Sequence, residues 1–283
     1  MKNISILIPY FKKEDSISEV LLSIDKHSNT FHEVILLCDG CKSPKLPSFK
    51  IIKPKIVYNI KNKGLSYSRN KLLQKASNNY ILFLDADAVI YPDFFKVLDE
   101  ALNKEDIIAG QEFSSPSNGF TNQFRSLFWK QSHGQNNLSN APFLMGICFA
   151  GKKKSFLKIG GFNQSFGNFG EDIEFSLRYK KNEKIYYSYE LKVHHLRNDN
   201  ITSMLKMINN HNKHFIKAHF FHKIEPQSYL SFSFLWIFIS AFSSFLKHKS
   251  LKLSLACLFF NGFSAINRCY YCITYPSSYY DKY

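Results

Sequence analysis

Arginine is scarce in this 283-residue chain: lysine supplies most of its 37 basic residues, set against 22 acidic ones. The net charge of +15 comes without an arginine-rich stripe or a nucleic-acid-binding motif. That argues against nucleic acid as a partner and for anionic substrates or an anionic membrane surface. A metal-binding cysteine pattern is also missing. Cys38 with Cys41 and Cys269 with Cys272 are CxxC pairs, but more than two hundred residues part them and no histidine pattern follows. Structural zinc is therefore not expected, and the thiols read as reduced and cytosolic. Near the N-terminus the apolar run Ile4 to Ile8 is broken at Pro9, too short for a signal peptide. The expected location is cytoplasmic.

What the chain does have is the stretch Tyr80 to Asp87, YILFLDAD. A continuous apolar run rich in aromatic and branched residues reads as a strand covered on both faces, as in the middle of a parallel sheet. Ligands of open α/β sheets collect at the carboxyl ends of such strands. In extended geometry Asp85 and Asp87, two residues apart, leave the same face and can converge on one divalent cation with a diphosphate beyond it. The competing reading is that the two aspartates merely open the turn before Tyr91 and Pro92.

The same alternation of strand and helix runs through the first half. Ile4 to Ile8 is a strand turned by Pro9 and Tyr10, and the spacing of Ser16 to Glu19 predicts a capping box for a helix ending near His27. Glu33 to Leu37 leads into Cys38, Asp39 and Gly40, and Ile56 to Ile60 into Asn62, Lys63 and Gly64. A helix from about Ser66 to Ala76 carries Arg69 near its start. Helices are also expected from about Asp93 to Leu102, with a short strand at Ile107 to Ala109. Residues 111 to 140 read as polar and irregular. The pattern implies right-handed parallel crossovers, with a catalytic domain over 1–200 and a basic, hydrophobic helical region over 201–283.

Pro9-Tyr10-Phe11, Cys38-Asp39-Gly40-Cys41, Asn62-Lys63-Gly64 and Ser68-Arg69-Asn70, in that order at strand ends, resemble the nucleotide-binding half of the inverting family 2 glycosyltransferases, over roughly residues 3 to 200. The resemblance implies the GT-A fold: α/β, with a mostly parallel central sheet flanked by helices. It further implies that Pro9, Tyr10, Asp39, Asn62, Gly64, Arg69 and the Asp85-Ala86-Asp87 run bind the nucleotide sugar, with Asp39 on uracil or ribose. Cys38 stands where the family has the first of two acidic residues, which leaves open which carboxylate holds the base. For Asp39 the alternative is an ordinary turn aspartate beside a glycine.

A second constellation comprises Gly146 to Gly151, Gly160-Gly161-Phe162 and Phe169-Gly170-Glu171-Asp172. It resembles the Gly-Glu-Asp motif shared with galactosyl- and N-acetylgalactosaminyltransferases. Physically, Glu171, Asp172 and Glu174 stand where a glycine-rich turn meets a helix, and a helix N-terminus keeps a carboxylate ionised. Asp172, with Glu171, is the expected catalytic base. Simple capping of the first turn suffices for Glu174. His194 and His195 end a strand and point to opposite faces, and the resemblance selects His195 to join Asp85 and Asp87 as ligands of Mn²⁺ or Mg²⁺.

Met204 to Lys223 reads as a basic amphipathic helix. Tyr229 to Leu246 and Leu251 to Ile266 are apolar stretches divided by Lys247 to Lys249; the positive-inside rule disfavours their crossing a bilayer as a pair. They fit an in-plane pair on the inner face of the cell membrane, with a helical cap or a dimer interface as the alternative. The resulting expectation is a metal-dependent inverting transfer from a UDP-sugar to a hydroxyl of a glycan or lipid-linked glycan, in surface polysaccharide, lipopolysaccharide or capsule synthesis. The rivals are a sugar nucleotidyltransferase, for which no glycine-rich phosphate loop is present, and an inactive membrane-peripheral scaffold. A processive synthase is disfavoured by the absence of Gln-x-x-Arg-Trp.

Overall fold

The structure, a computed structural model, describes residues 2–28, 32–113, 119–224, 237–244, 246–247 and 249–274. The chain divides into two compact units, Met1–Ser114 with Lys130–Arg197, and Ser115–Trp129 with Asn198–Tyr283.

In the first unit the described strands are β1 (Ile4–Tyr10), β2 (Glu33–Asp39), β3 (Lys55–Asn59), β4 (Tyr80–Leu84), β5 (Ala88–Ile90), β6 (Ile107–Glu112), β7 (Cys148–Lys152) and β8 (Tyr186–His195). They form one sheet in the order β3-β2-β1-β4-β7-β6-β8-β5. β1 lies parallel to both β2 and β4, and β2 parallel to β3, whereas β7 runs antiparallel to β4 and β6. Helices α1 (Glu14–His27), α2 (Leu65–Lys75), α3 (Phe94–Ala101), α5 (Lys153–Lys158) and α6 (Glu171–Tyr179) belong to this unit. Both faces of the central strands are buried. Ile6, Ile8, Leu82 and Leu84 join one apolar cluster, with Ile17, Val20 and Leu21 of α1, while Leu7, Ile81 and Phe83 join the other, with Leu72 and Leu73 of α2. This two-sided burial is what a near-continuous apolar strand encodes.

Two local expectations fail. The capping box at Ser16 does not form: α1 starts two residues earlier, and its N-cap, Lys13, makes no side-chain cap. Ser16 Oγ instead donates to the Ala86 carbonyl at 2.9 Å, tying the helix to the Asp-x-Asp turn. Residues 111 to 140 are not wholly irregular, because α4 (Phe120–Phe128) forms there; residues 114–118 lie outside the described ones. Phe120, Phe124 and Phe128 recur every fourth residue, a helical signal within a polar stretch.

In the second unit α4, α7 (Ile201–Phe221) and α8 (Leu251–Thr274) bury Phe124, Met204, Ile208, Leu253, Cys257 and Phe260 together, with Phe124 stacked on Phe260 at 4.8 Å between centroids. Asn200 caps α7 by accepting from Ser203 N–H, and Ser203 returns the bond as a capping box. Residues 237–244 are helical, whereas 229–236 of the first apolar stretch lie outside the described residues. Among the described residues no helix is long and apolar enough to cross a membrane.

Candidate active site

The site grows out of the carboxyl end of β4. Asp85, Ala86 and Asp87 do not continue the strand; they form a turn closed by Ala88 N–H on the Asp85 carbonyl at 3.1 Å. The two aspartates are therefore not arrayed on one face of an extended strand, as their spacing predicts. The antiparallel pairing of Ala88 with His195 then sets Asp87 against the end of β8. His195 Nε2 lies 3.5 Å from Asp87 Oδ2 and Nδ1 lies 3.4 Å from Glu112 Oε2, all three groups being buried. Burial alone would discharge the imidazole, but these two carboxylates overcome it and raise its pKa to about 9. Asp87 moves the opposite way: burial opposes ionisation, yet His195 and the Lys13 ammonium, 2.7 Å from Oδ2, hold its carboxyl well below the usual range.

Arg69 is the hub of the second half of the site. Expected to line the nucleotide, it is instead wholly buried. Its guanidinium donates to Glu171 Oε1, to Asp85 Oδ1 at 3.2 Å and to the Gly146 carbonyl at 2.7 Å. It lies 5.0 Å from the Phe149 ring centroid and 5.6 Å from that of Phe162. A planar, permanently charged fork suits such a position. One cation thus bridges the Asp-x-Asp side and the Gly-Glu-Asp side, 16 residues from it in sequence at Asp85 and 102 at Glu171.

Burial outweighs the helix terminus at the two acids that open α6. Burial raises the pKa of Glu171 to about 7, although Arg69 opposes the rise, and burial raises that of Asp172 as well. Asp172 Oδ1 accepts from Ile173 N–H at 2.9 Å, and a Cβ on Gly146 would come within 2.9 Å of Asp172 Oδ2. Only glycine lets the backbone approach the carboxylate so closely. Glu174 binds Arg178 through both oxygens, at 2.6 and 2.8 Å.

The residues at the ends of β2 and β3 that are expected to bind the nucleotide form a separate network. Asp39 Oδ1 accepts from Asn59 Nδ2 at 2.8 Å and Lys63 N–H at 2.9 Å, and Oδ2 from Gly64 N–H at 2.9 Å. Asp39 is thus a turn-organising aspartate in this structure, with acceptor capacity left on Oδ2. Gly40 is required here, since a Cβ would sit 2.1 Å from Asn62 N at a φ of +68°. Asn62 is exposed, Pro9 half-buried, and Tyr10 buried with its pKa raised to about 12 by burial and the nearby Glu14.

The hard oxygens of Asp85 and Asp87 with the His195 imidazole are a donor set suited to Mn²⁺ or Mg²⁺. Burial pushes the pKa of Asp85 up to about 6 against the pull of Arg69, and the like charge of Asp87 adds to the rise. The donor chemistry fits, but the cage is not preformed: among the described residues no three such side chains converge as a metal site. Lys13 and His195 are paired with Asp87 instead. Lys13 and Glu112 are the site residues that sequence reasoning misses. Neither belongs to a motif, and Glu112 meets His195 only because β6 runs past Ala109 to pair in parallel with β8.

The fold is that of the GT-A glycosyltransferases. It is similar to GalNAc-T7, solved with UDP, GalNAc and Mn²⁺, at a TM-score of 0.55 and 14% identity, with 77% of this chain and 48% of that one covered. It is also similar to a mannosyltransferase of Pyrobaculum calidifontis, solved with GDP-Man and Mn²⁺, at a TM-score of 0.59 and 15% identity over 94% of this chain and 74% of that one. The chain belongs to glycosyl transferase family 2, whose model matches residues 5–160. An uncharacterized glycosyltransferase of Haemophilus influenzae is 24% identical over 240 residues, 76% of this chain and 78% of that protein. The protein is therefore a glycosyltransferase.

Proposed function

We propose that the enzyme transfers a sugar, with inversion, from a UDP-sugar to a hydroxyl of a glycan or lipid-linked glycan acceptor, in the synthesis of a surface polysaccharide, lipopolysaccharide or capsule. The observation that carries this reading is the Arg69 bridge, which sets the Asp-x-Asp turn and the Glu171-Asp172 pair in one buried cluster. The resemblance of that pair to the galactosyltransferase-like Gly-Glu-Asp motif supports its assignment as the acceptor side.

The division of labour follows from the protonation each group favours. Asp172, lifted above the ordinary aspartate range, is a stronger base than a surface carboxylate and takes the proton of the acceptor hydroxyl. The oxygen then attacks the anomeric carbon from the face opposite the diphosphate, inverting it. Such a base contributes about 10² to 10⁴ in rate. Glu171, held by Arg69, keeps the first turn of α6 in place. Mn²⁺ or Mg²⁺ held by Asp85, Asp87 and His195 would neutralise the departing diphosphate. The polar ends of β1, β2 and β3 receive the nucleoside.

An anionic membrane surface on the cytoplasmic side is the proposed location. Its support is the second unit, where ten Lys and Arg face three Asp and Glu in sequence and large apolar side chains are exposed on the helices.

Two substitutions test the assignment. Asp87→Ala should abolish transfer with the fold intact; full activity with added Mn²⁺ would overturn the metal role. Asp172→Asn should lose turnover while UDP and Mn²⁺ affinity, measured by calorimetry, stay near wild type. Parallel loss of UDP affinity would move Asp172 to the donor side.

A further inference from the structure

We propose that Glu112 is a positioning residue for His195: it holds Nδ1–H from behind and so presents Nε2 to the Asp87 side, where a divalent cation would sit. The inference rests on the reading of Asp85, Asp87 and His195 as the metal ligands. The imidazole has two distinct nitrogens, and the partner of one decides what the other can do. Here Nδ1 faces the Glu112 carboxylate at 3.4 Å and Nε2 faces Asp87 at 3.5 Å. Nδ1 has no other hydrogen-bond partner among the described residues, so the facing carboxylate, 3.4 Å away, is the acceptor that a small turn of the ring would bring into line.

Glu112 is itself fixed by its strand pairing and by Gln131. It is 1% exposed at the end of β6 and pairs in register with Val193, two residues before His195. Its N–H donates to the Gln131 carbonyl at 2.7 Å, and its Oε2 accepts from Gln131 N–H at 3.2 Å. Gln131 Oε1 in turn accepts from Ile147 N–H at 3.0 Å, and the Ile147 carbonyl accepts from Asp85 N–H at 3.1 Å. Glu112 is therefore built into the same scaffold that places Asp85. A buried carboxylate is costly without a partner of opposite charge, and His195 is one that repays part of that cost. A carboxylate behind a ligating imidazole fixes its tautomer and raises its basicity, and losing it costs about 10- to 100-fold in metal affinity.

The experiment is a Mn²⁺ titration of the full chain, with UDP present, read by the electron paramagnetic resonance of free Mn²⁺, alongside thermal melts without metal. H195A is the control for the ligand itself. We expect H195A and E112A to weaken Mn²⁺ binding, E112A by about 10- to 100-fold, and E112Q, which keeps an acceptor oxygen without the charge, to fall between E112A and wild type. If E112A melts early, E112Q with an unchanged melt carries the test alone. Wild-type Mn²⁺ affinity in E112Q and E112A beside a weakened H195A would overturn the positioning role and leave the ligand set standing. Wild-type affinity in H195A would instead overturn the ligand reading, and the proposal with it.

Discussion

At the scale of single residues, burial decides more of this site than local sequence does. Arg69 looks like a ligand-facing residue at the start of a helix, yet it is enclosed and answers to two carboxylates and a carbonyl. Removing it leaves Glu171 without its charge partner in a site where the carboxyl is 4% exposed. Arg69→Met should therefore cost about 3–5 kcal/mol, the range for breaking one side of a buried ion pair, read from urea unfolding midpoints. A loss below about 1 kcal/mol, the range of exposed pairs, would show that the bridge is dispensable. The raised acids give a second expectation. A carboxyl whose pKa is raised ionises later as pH climbs, so the base is fully available only above its ordinary range. The acid limb of kcat should lie above 3.8, the ordinary aspartate value, and it belongs to the Glu171-Asp172 pair as a unit. A kcat constant down to pH 4 would contradict a base with a raised pKa.

At the scale of elements, the structure shows why motifs far apart in sequence travel together. Asn70, beside Arg69 on α2, accepts from Phe162 N–H at 2.8 Å and donates to the Phe162 carbonyl at 2.7 Å. Ser66 N–H donates to the Gly167 carbonyl at 2.9 Å, and Leu65 N–H to Asn168 Oδ1 at 2.9 Å. Helix α2 is thus the strut between the sheet and the loop that leads into α6. The parallel strands were legible because each is a short apolar run ending in polar turn residues, and the amphipathic character of α7 because its periodicity is local. The register that brings Ala88 opposite His195, and Glu112 beside it, was not legible: strand pairing is a long-range property that no single segment carries. Burial is equally non-local, so the sequence alone shows neither the enclosure of Arg69 nor the raised pKa values of Glu171 and Asp172. The strut predicts a separation of effects. Asn70→Ala should cost about 1–3 kcal/mol, as unsatisfied buried backbone groups do. Gly146→Ala, at a backbone that any residue can adopt, should act on the base instead. Its Cβ would press on Asp172 Oδ2, and kcat should fall, by less than the about 10² that a 1 Å misplacement costs, with little change in melting temperature. Unchanged kcat in Gly146→Ala would mean that Asp172 can move without consequence, contrary to its role as base.

At the scale of the whole molecule, the second unit carries large apolar side chains that its own core does not cover. On α8, Leu251, Leu255, Phe259, Ile266 and Ile273 recur along one face and are each more than half exposed, while Leu253, Cys257 and Phe260 face the unit's own core. Phe238 and Phe242, on the helical residues 237–244, are likewise more than half exposed. Exposed Lys247, Lys249 and Lys252 stand beside these apolar positions, and the acid Asp199 is buried against Arg125 at 3.2 Å. On the membrane location proposed above, this apolar stripe edged by lysine is the docking face, and a symmetric pairing of two copies would bring its like charges together. Each apolar side chain entering the acyl boundary contributes about 1.5–3 kcal/mol, against about 1 kcal/mol for each lysine near the headgroups. Salt screens the lysines over about 8 Å at physiological strength but leaves apolar burial intact. Deleting the tail is a poor test, since α8 also covers Phe124, Met204 and Ile208, and the loss would unfold the unit. Replacing Phe238, Phe242 and Phe259 by serine removes exposed surface only. The triple variant should lose most of its partition onto vesicles containing phosphatidylserine and keep wild-type melting and wild-type transfer to a soluble acceptor, while wild-type protein stays largely bound in 0.5 M salt, about three times physiological strength. Equal partition of the two proteins would reject the stripe as the docking surface. Complete release of wild type by salt would assign the binding to the lysines alone.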